Sequence, residues 1–163
     1  MFERELKTYG FLQGYAQLLL DGVTDEQWNV QPFAGANTPS WVIGHLTMTG
    51  QFLLQQGGDA VEMDEKWGSL FGPTSQVPAA GTEGLPSPAE LREAYAATHA
   101  LVTERVPLLT PATFGQPNPI ERMAPALPTL GDLASFILTG HESMHLGQLS
   151  AWRRAMGMPH AIR

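Results

Sequence analysis

The chain has 163 residues, 43% of them hydrophobic and 15% charged, which suits one domain with a full hydrophobic core. The formal net charge of −7 and the lack of a basic run exclude the electrostatic surface that nucleic-acid binders use. No apolar run reaches membrane-spanning length, no secretory signal core is present and no cysteine occurs, so we expect a cytoplasmic protein without disulfides.

The first predicted helix covers residues 2–23, where apolar side chains recur at steps of three and four. Gly22 favours its end, because glycine readily adopts the left-handed conformation that follows many helices. Thr24 and Gln27 have capping-box spacing, which predicts a short turn through Trp28.

The second predicted helix begins at Thr38 and Pro39, an N-cap residue followed by a proline at the first helical position. The glycine pair at 57 and 58 ends it. Its apolar stripe consists of Trp41, His45, Met48 and Phe52.

The connection over residues 57–86 contains six glycines and three prolines and is too long for a simple hairpin. We therefore expect a crossover, with a helical turn near residues 65–70. Ser87, Pro88 and Glu90 then predict the start of helix three. Its apolar stripe consists of Leu91, Tyr95, Thr98, Val102, Val106 and Leu109.

A second long loop, residues 110–128, carries five prolines and precedes the last helix. Thr129 and Asp132 cap that helix, which is predicted to extend to about Met156. Four main helices without a convincing strand pattern predict an all-α fold. The specific expectation is a four-helix bundle with a long crossover between helices two and three, in a single domain over residues 1–163.

The segment HESMH in helix four places His141 and His145 four residues apart. Such positions lie about 40° apart around the helix axis and roughly 6 Å apart along it, so both imidazoles can reach one metal ion. His45 is the best third ligand, because all three histidines lie on buried helix faces. Three unpaired imidazoles in one core cost desolvation free energy that a shared metal would offset. Three separately hydrogen-bonded histidines are the alternative.

Four other polar residues have weaker interpretations. Gln148 follows His145 by three residues and is our candidate catalytic residue, either holding water at the metal or orienting a ligand imidazole. An ordinary amide at the end of the bundle is an equal alternative. Glu142 is interpreted as a solvated residue, with a supporting contact to the site as the minor alternative. We expect His99 to be exposed or packed between helices, and His160 to lie in a loose tail.

The segment HESMH also matches H-E-x-x-H, the zinc-protease signature in which Glu142 would be the general base. Only 18 residues follow His145 and none of them is acidic, so one class of protease lacks its downstream ligand. The metzincin extension requires glycine at position 148 and histidine at position 151, where this chain has Gln148 and Ala151. No predicted sheet would hold a peptide. We therefore do not interpret the chain as a protease.

Two segments resemble the DinB/YfiT-like superfamily of helical metalloenzymes: PFAGANTPSWVIGHL entering helix two, and GHESMHLGQLSAWRR in helix four. The resemblance implies a four-helix bundle of unusual helix order, a metal triad on His45, His141 and His145, and a homodimer. Several members of the family are thiol transferases that use bacillithiol or mycothiol, whereas others have no established activity.

Our main functional hypothesis is a metal-dependent enzyme in which the three histidines hold a divalent ion. Zinc or nickel is favoured, and iron(II) and cobalt also suit three imidazoles. The metal activates a low-molecular-weight thiol such as bacillithiol for transfer to a small-molecule electrophile. The same site could instead activate water for hydrolysis. A non-enzymatic metal-binding stress-response protein and a helical interaction module with structural histidines are the alternatives, and neither nucleic acid nor membrane is an expected partner.

Overall fold

The computed structural model describes residues 1–61 and 64–162, and its regular elements in those residues are helical. The helices are α1 (Glu3–Leu20), α2 (Pro39–Gln56), α3 (Glu65–Phe71), α4 (Pro88–Arg105), α5 (Pro111–Phe114), α6 (Leu130–Phe136) and α7 (Glu142–Ala155). Short 3₁₀ turns cover Asp25–Asn29 and Val106–Leu108, and a π-helical turn, Ile137–His141, joins α6 to α7. The all-α prediction is confirmed, since the described residues contain only one isolated β-bridge, between Pro117 and Thr129.

The predicted helix starts are confirmed, because local capping groups determine where these helices begin. The Thr38 hydroxyl accepts a hydrogen bond from the backbone N–H of Trp41, and Pro39 occupies the first helical position of α2. Capping boxes pair Thr24 with Gln27, Ser87 with Glu90, and Thr129 with Asp132. Each box satisfies backbone N–H groups that the first turn leaves without partners.

Helices α2 and α4 lie side by side and run in the same direction. Gly50 lies against Thr98, and Gly57, just after α2, lies against Leu109, which follows α4. Each helix has 18 residues and is therefore roughly 27 Å long, so the chain must return over that length between them. The connection over residues 57–87 makes this return, and its described part includes α3 packed on α2. The predicted crossover is thus part of the fold.

Helices α1 and α7 form a second parallel pair. The Arg153 guanidinium donates to the carbonyl of Leu19 at 3.0 Å, near the end of both helices. Earlier in both segments, the Ser135 hydroxyl lies 3.4 Å from the Glu5 carboxylate. Each helix of this pair also contacts α2 or α4. These pairwise contacts are the ones that a four-helix bundle requires, and the bundle itself stays a prediction.

The buried apolar residues form two clusters at different positions along the helices. One contains Trp28, Trp41, Phe71 and Trp152, and the other contains Tyr9, Leu53, Val102, Phe114 and Leu138. His141 and His145 lie between Leu138 of the second cluster and Leu146 of the first, whereas His45 lies on α2 among residues of the first cluster. None of the helices in the described residues combines the length and apolar character that crossing a membrane requires.

Candidate metal centre

His45, His141 and His145 come together in space, as the helical phase of the sequence predicts. One ring nitrogen from each histidine lies within 4.8 Å of those of the other two. The Nε2 atoms of His45 and His141 are 3.2 Å apart. His45 and His145 are buried and His141 is half-buried, so the three nitrogens face one another in a place largely shielded from water.

The π-helical turn at Ile137–His141 is a feature that the sequence analysis missed. A π turn adds one residue to an α-helix, and one added residue rotates the following side chains by about 100°. The turn ends at His141, so it determines how that imidazole is presented relative to His145. Turns of this kind occur frequently at functional sites. No residue pattern in the segment distinguishes it from an ordinary helix.

A backbone carbonyl orients the imidazole of His45. Its Nδ1 lies 2.7 Å from the carbonyl oxygen of Phe71, at the end of α3. A carbonyl oxygen only accepts hydrogen bonds, so Nδ1 carries the proton and the lone pair of the neutral ring is on Nε2. The ring also stacks on Trp41, with centroids 4.7 Å apart and planes inclined by 9°. Both contacts direct Nε2 toward the other two histidines.

Gly44, the residue before His45, allows α3 to approach α2 closely enough for this contact. A Cβ atom at Gly44 would lie 2.5 Å from the Phe71 ring, which is inside van der Waals contact. Glycine is therefore required here by the close approach of the two helices. The same residue, Phe71, supplies both the ring that packs on Gly44 and the carbonyl that orients His45.

We expect Gly44→Ala to weaken metal binding by about tenfold to a hundredfold, the usual cost of disturbing a partner of a metal ligand. The added methyl group displaces Phe71 and with it the carbonyl that holds His45. A competition titration with a chromophoric chelator measures the change. Gly147→Ala is the matched control, because a Cβ there meets no atom within 4 Å. Equal affinities for the two variants would contradict this role of Gly44.

A side-chain amide orients His145. Its Nδ1 lies 2.9 Å from Gln148 Oε1, and the Asn37 amide donates to the same oxygen at 2.8 Å. The lone pair of His145 is therefore also on Nε2. Gln148 thus contacts an imidazole of the candidate centre, which is consistent with one of the two interpretations of its sequence position. Its role as a catalytic residue stays a prediction. Sequence reasoning missed Asn37, since an asparagine in a loop carries no specific signal.

His141 is the least constrained of the three. Its Nδ1 is buried and has no hydrogen-bond partner among the described residues, while its Nε2 faces His45. A buried polar atom without a partner is unfavourable. The set of donors nonetheless suits a divalent metal, since three imidazoles converge and two of them have their lone pairs directed inward by a second hydrogen bond.

The three histidines are neutral at pH 7. Burial lowers the pKa of His45, even though its hydrogen bond to Phe71 acts in the opposite direction. Burial, with the neighbouring His145 and His45, lowers the pKa of His141 to about 3. Burial, with His45, lowers the pKa of His145 to about 4. Neutral imidazoles have the free lone pairs that metal ligation needs.

We expect the metal-free protein to lose stability as the pH falls from about 6.5 toward 4. The unfolded chain binds protons on His141 and His145 below their ordinary pKa of about 6.5, whereas the folded chain does not until their lowered values are reached. The free energy of unfolding therefore falls by up to about 1.4 kcal/mol per pH unit for each group. Urea unfolding at a series of pH values measures this slope. His141→Gln should reduce the slope, and an unchanged slope would refute the assignment.

The interpretation of Glu142 as a solvated residue is wrong. Only 2% of the residue is exposed, and its Oε1 accepts hydrogen bonds from the Tyr95 hydroxyl at 2.5 Å and from His99 Nε2 at 3.0 Å. His99 is buried and stacks on Tyr9. Of the two expected environments, exposed or packed between helices, it therefore has the second. Glu142 follows the π turn directly and faces α4, whereas its neighbour His141 faces α2. This orientation leaves Glu142 without a hydrogen bond to the triad in the described residues.

A cavity of about 350 Å³ opens beside the triad, with His45 and His141 in its wall. The rest of its wall is mainly apolar and comes from two helical segments, from Pro73 after α3 and from the loop between α5 and α6. From the helices, the cavity is lined by Met48, Thr49, Phe52, Leu133, Phe136 and Ile137. The sequence analysis assigned Met48 and Phe52 to a core-facing stripe, and both are only half-buried because they face this cavity.

His160, the fifth histidine, is exposed beyond the end of α7, as expected.

In comparisons with known proteins, a sequence profile of the DinB superfamily matches residues 12–149, which is most of the chain. That range contains all three histidines of the candidate centre. Searches among curated proteins and among solved structures return no match.

Proposed function

The chain belongs to the DinB superfamily, and from that premise we propose that it is a metal-dependent enzyme that transfers a small thiol to an electrophile. His45, His141 and His145 hold one divalent ion, with zinc or nickel as the favoured metal. The observation that carries the proposal is the convergence of three neutral imidazoles whose ring nitrogens lie within 4.8 Å of one another.

When bound, such an ion supplies positive charge that lowers the pKa of a thiol and so provides thiolate at neutral pH. The thiolate sulfur attacks the electrophilic carbon of the second substrate. A sulfur–carbon bond forms, the bond to the leaving group breaks with its electron pair, and the thiol proton passes to solvent. The chain contains no cysteine, so no thiol of its own competes with the external one.

The residues around the triad support this reaction by positioning and by excluding water. Phe71 and Gln148 hold two ligand imidazoles in one orientation through their oxygen atoms. The apolar cavity next to His45 and His141 offers space for an electrophile close to the site. We place the reaction in the cytoplasm, where small thiols are kept reduced.

Thiol transfer is favoured over hydrolysis by the surroundings of Glu142. A metal-dependent hydrolase of the H-E-x-x-H type uses that glutamate as a general base. Here the carboxylate accepts hydrogen bonds from Tyr95 and His99 on α4, on the other side of α7 from the triad. The group of potential ligands at the site contains histidines and no carboxylate among the described residues.

A direct assay tests the proposal with purified protein, a panel of small thiols and a chloro-dinitrobenzene. We expect turnover that requires both a divalent metal and one of the thiols, and that stops when a chelator removes the metal. The panel includes bacillithiol and mycothiol as well as cysteine and glutathione. Turnover that is equally fast without metal would contradict the proposal. A protein that binds metal tightly but shows no turnover with the whole panel would support the non-enzymatic metal-binding alternative.

A further inference from the structure

The cavity beside the triad has a chemical character of its own. We propose that it binds a small organic molecule with an apolar body and a single anionic group, such as an aryl or alkyl carboxylate. The proposal rests on the proposed function only in making this molecule the electrophile of the reaction. Binding itself depends on the wall of the cavity and not on the metal.

The apolar part of the wall selects the body of the ligand. Met48, Phe52 and Phe136 line the cavity and are only half-buried, so the protein leaves part of their apolar surface in contact with water. Covering that surface with an apolar molecule is favourable, by about 25 cal/mol for each Å² removed from water. The volume of about 350 Å³ lies at the lower end of the range for small-molecule sites. Methionine adds adaptability, because its flexible side chain adjusts to ligands of different shape.

The loop between α5 and α6 selects the charge of the ligand. It contributes Ile120, Met123 and Arg122 to the wall, and Arg122 is the one lining residue with a permanent charge among those described. Arg122 is exposed, and no ion pair or side-chain hydrogen bond in the described residues engages its guanidinium. The adjacent Glu121 does not line the cavity. A guanidinium binds a carboxylate through two parallel hydrogen bonds, so this position suits an anionic group at the cavity wall.

The geometry also orients the ligand. His45 and His141 lie in the same wall as Arg122, so a molecule held by its anionic group at Arg122 extends past apolar side chains toward the triad. In the proposed reaction, the end of the ligand near the histidines would carry the electrophilic carbon. Arg122 is therefore a specificity-determining residue that favours anionic over neutral electrophiles.

Two fluorescent probes with nearly the same body test the proposal on the metal-free full-length protein. One is 8-anilinonaphthalene-1-sulfonate, which is anionic, and the other is N-phenyl-1-naphthylamine, which is neutral. We expect both to bind with a stoichiometry near one. Arg122→Gln should weaken binding of the sulfonate by about threefold to tenfold and leave the neutral probe unchanged. Arg154→Gln, which removes an exposed arginine on α7, should change neither.

Met123→Ser should weaken both probes, because it makes the half-buried apolar wall polar without removing a charge. We also expect 4-phenylbutyrate, and not its amide, to displace the sulfonate probe. Failure of either probe to bind would overturn the proposal, and so would an Arg122→Gln variant that binds the sulfonate normally. Binding of both probes by a wild-type protein that shows no metal-dependent thiol transfer would reject the proposed function alone. Normal metal binding without probe binding would reject the cavity proposal alone.

Discussion

His45→Ala abolishes metal binding and lowers metal-dependent thiol transfer by about a hundredfold or more; this is the largest effect that we expect from a single substitution. The change leaves two imidazoles from neighbouring turns of one helical segment, and α2 then no longer contributes a ligand. A catalytic metal supplies several kcal/mol of transition-state stabilisation, and each 1.36 kcal/mol corresponds to about tenfold in rate. Elemental analysis of protein purified without an affinity tag measures the bound metal.

The same substitution has a thermodynamic consequence. A ligand that binds only the folded state stabilises it by roughly 4 kcal/mol when its concentration is a thousandfold above its Kd. Chelation should therefore lower the Tm of the wild-type protein and leave the Tm of His45→Ala unchanged. His160→Ala is the control, because that histidine lies in the exposed tail, and it should retain both the metal and the chelator effect. Loss of the metal in His160→Ala alone would show that the third ligand is wrongly assigned.

Glu142→Ala lowers the free energy of unfolding by about 3 kcal/mol or more, the cost of removing one partner from a buried polar network. Glu142 is 2% exposed, and loss of its carboxylate leaves the Tyr95 hydroxyl and His99 Nε2 without an acceptor. Burial and the Glu142 carboxylate also raise the pKa of Tyr95 well above its usual value, so its phenol keeps the proton that it donates. Urea unfolding of the metal-free protein at pH 7 measures the change.

Two variants separate this structural role of Glu142 from a catalytic one. Met144→Ala, at an exposed position two residues further along α7, should change stability by less than about 0.5 kcal/mol. Glu142→Gln keeps an acceptor oxygen and should retain most of the thiol-transfer activity. A general base would instead lose on the order of a hundredfold. A destabilisation by Glu142→Ala as small as that of Met144→Ala would contradict the network, and water-driven turnover abolished by Glu142→Gln would restore the hydrolase interpretation.

The positions of the helices were predictable from the sequence because the signals are local. Thr38 with Pro39, and Ser87 with Pro88, place an N-cap and a proline side by side, and hydrogen bonds within one turn make such a pair a helix start. Helical phase likewise identified the residues of the candidate centre. His45 lies on the same stripe as Trp41, and the four-residue step from His141 to His145 needs only the helix itself. All three histidines therefore came from patterns within single elements.

The surroundings of those histidines depended on contacts between distant parts of the chain. The carbonyl of Phe71 reaches His45 from 26 residues away, and Asn37 reaches Gln148 from 111 residues away. Neither partner has a chemical signature, since every residue has a carbonyl and asparagine is common in loops.

The burial of Glu142 and the π turn before it could not be predicted from the sequence for the same reason. A glutamate on a helix is predicted to be exposed unless the side of the helix that packs against the other helices is known. That side changed at Ile137–His141, where one added residue in the turn sends His141 toward α2 and Glu142 toward Tyr95 on α4. The sequence by itself thus determined which side chains could form the centre. The tertiary structure decided what orients them, which acid is buried beside them and where the cavity opens, because these depend on the packing of whole helices against one another.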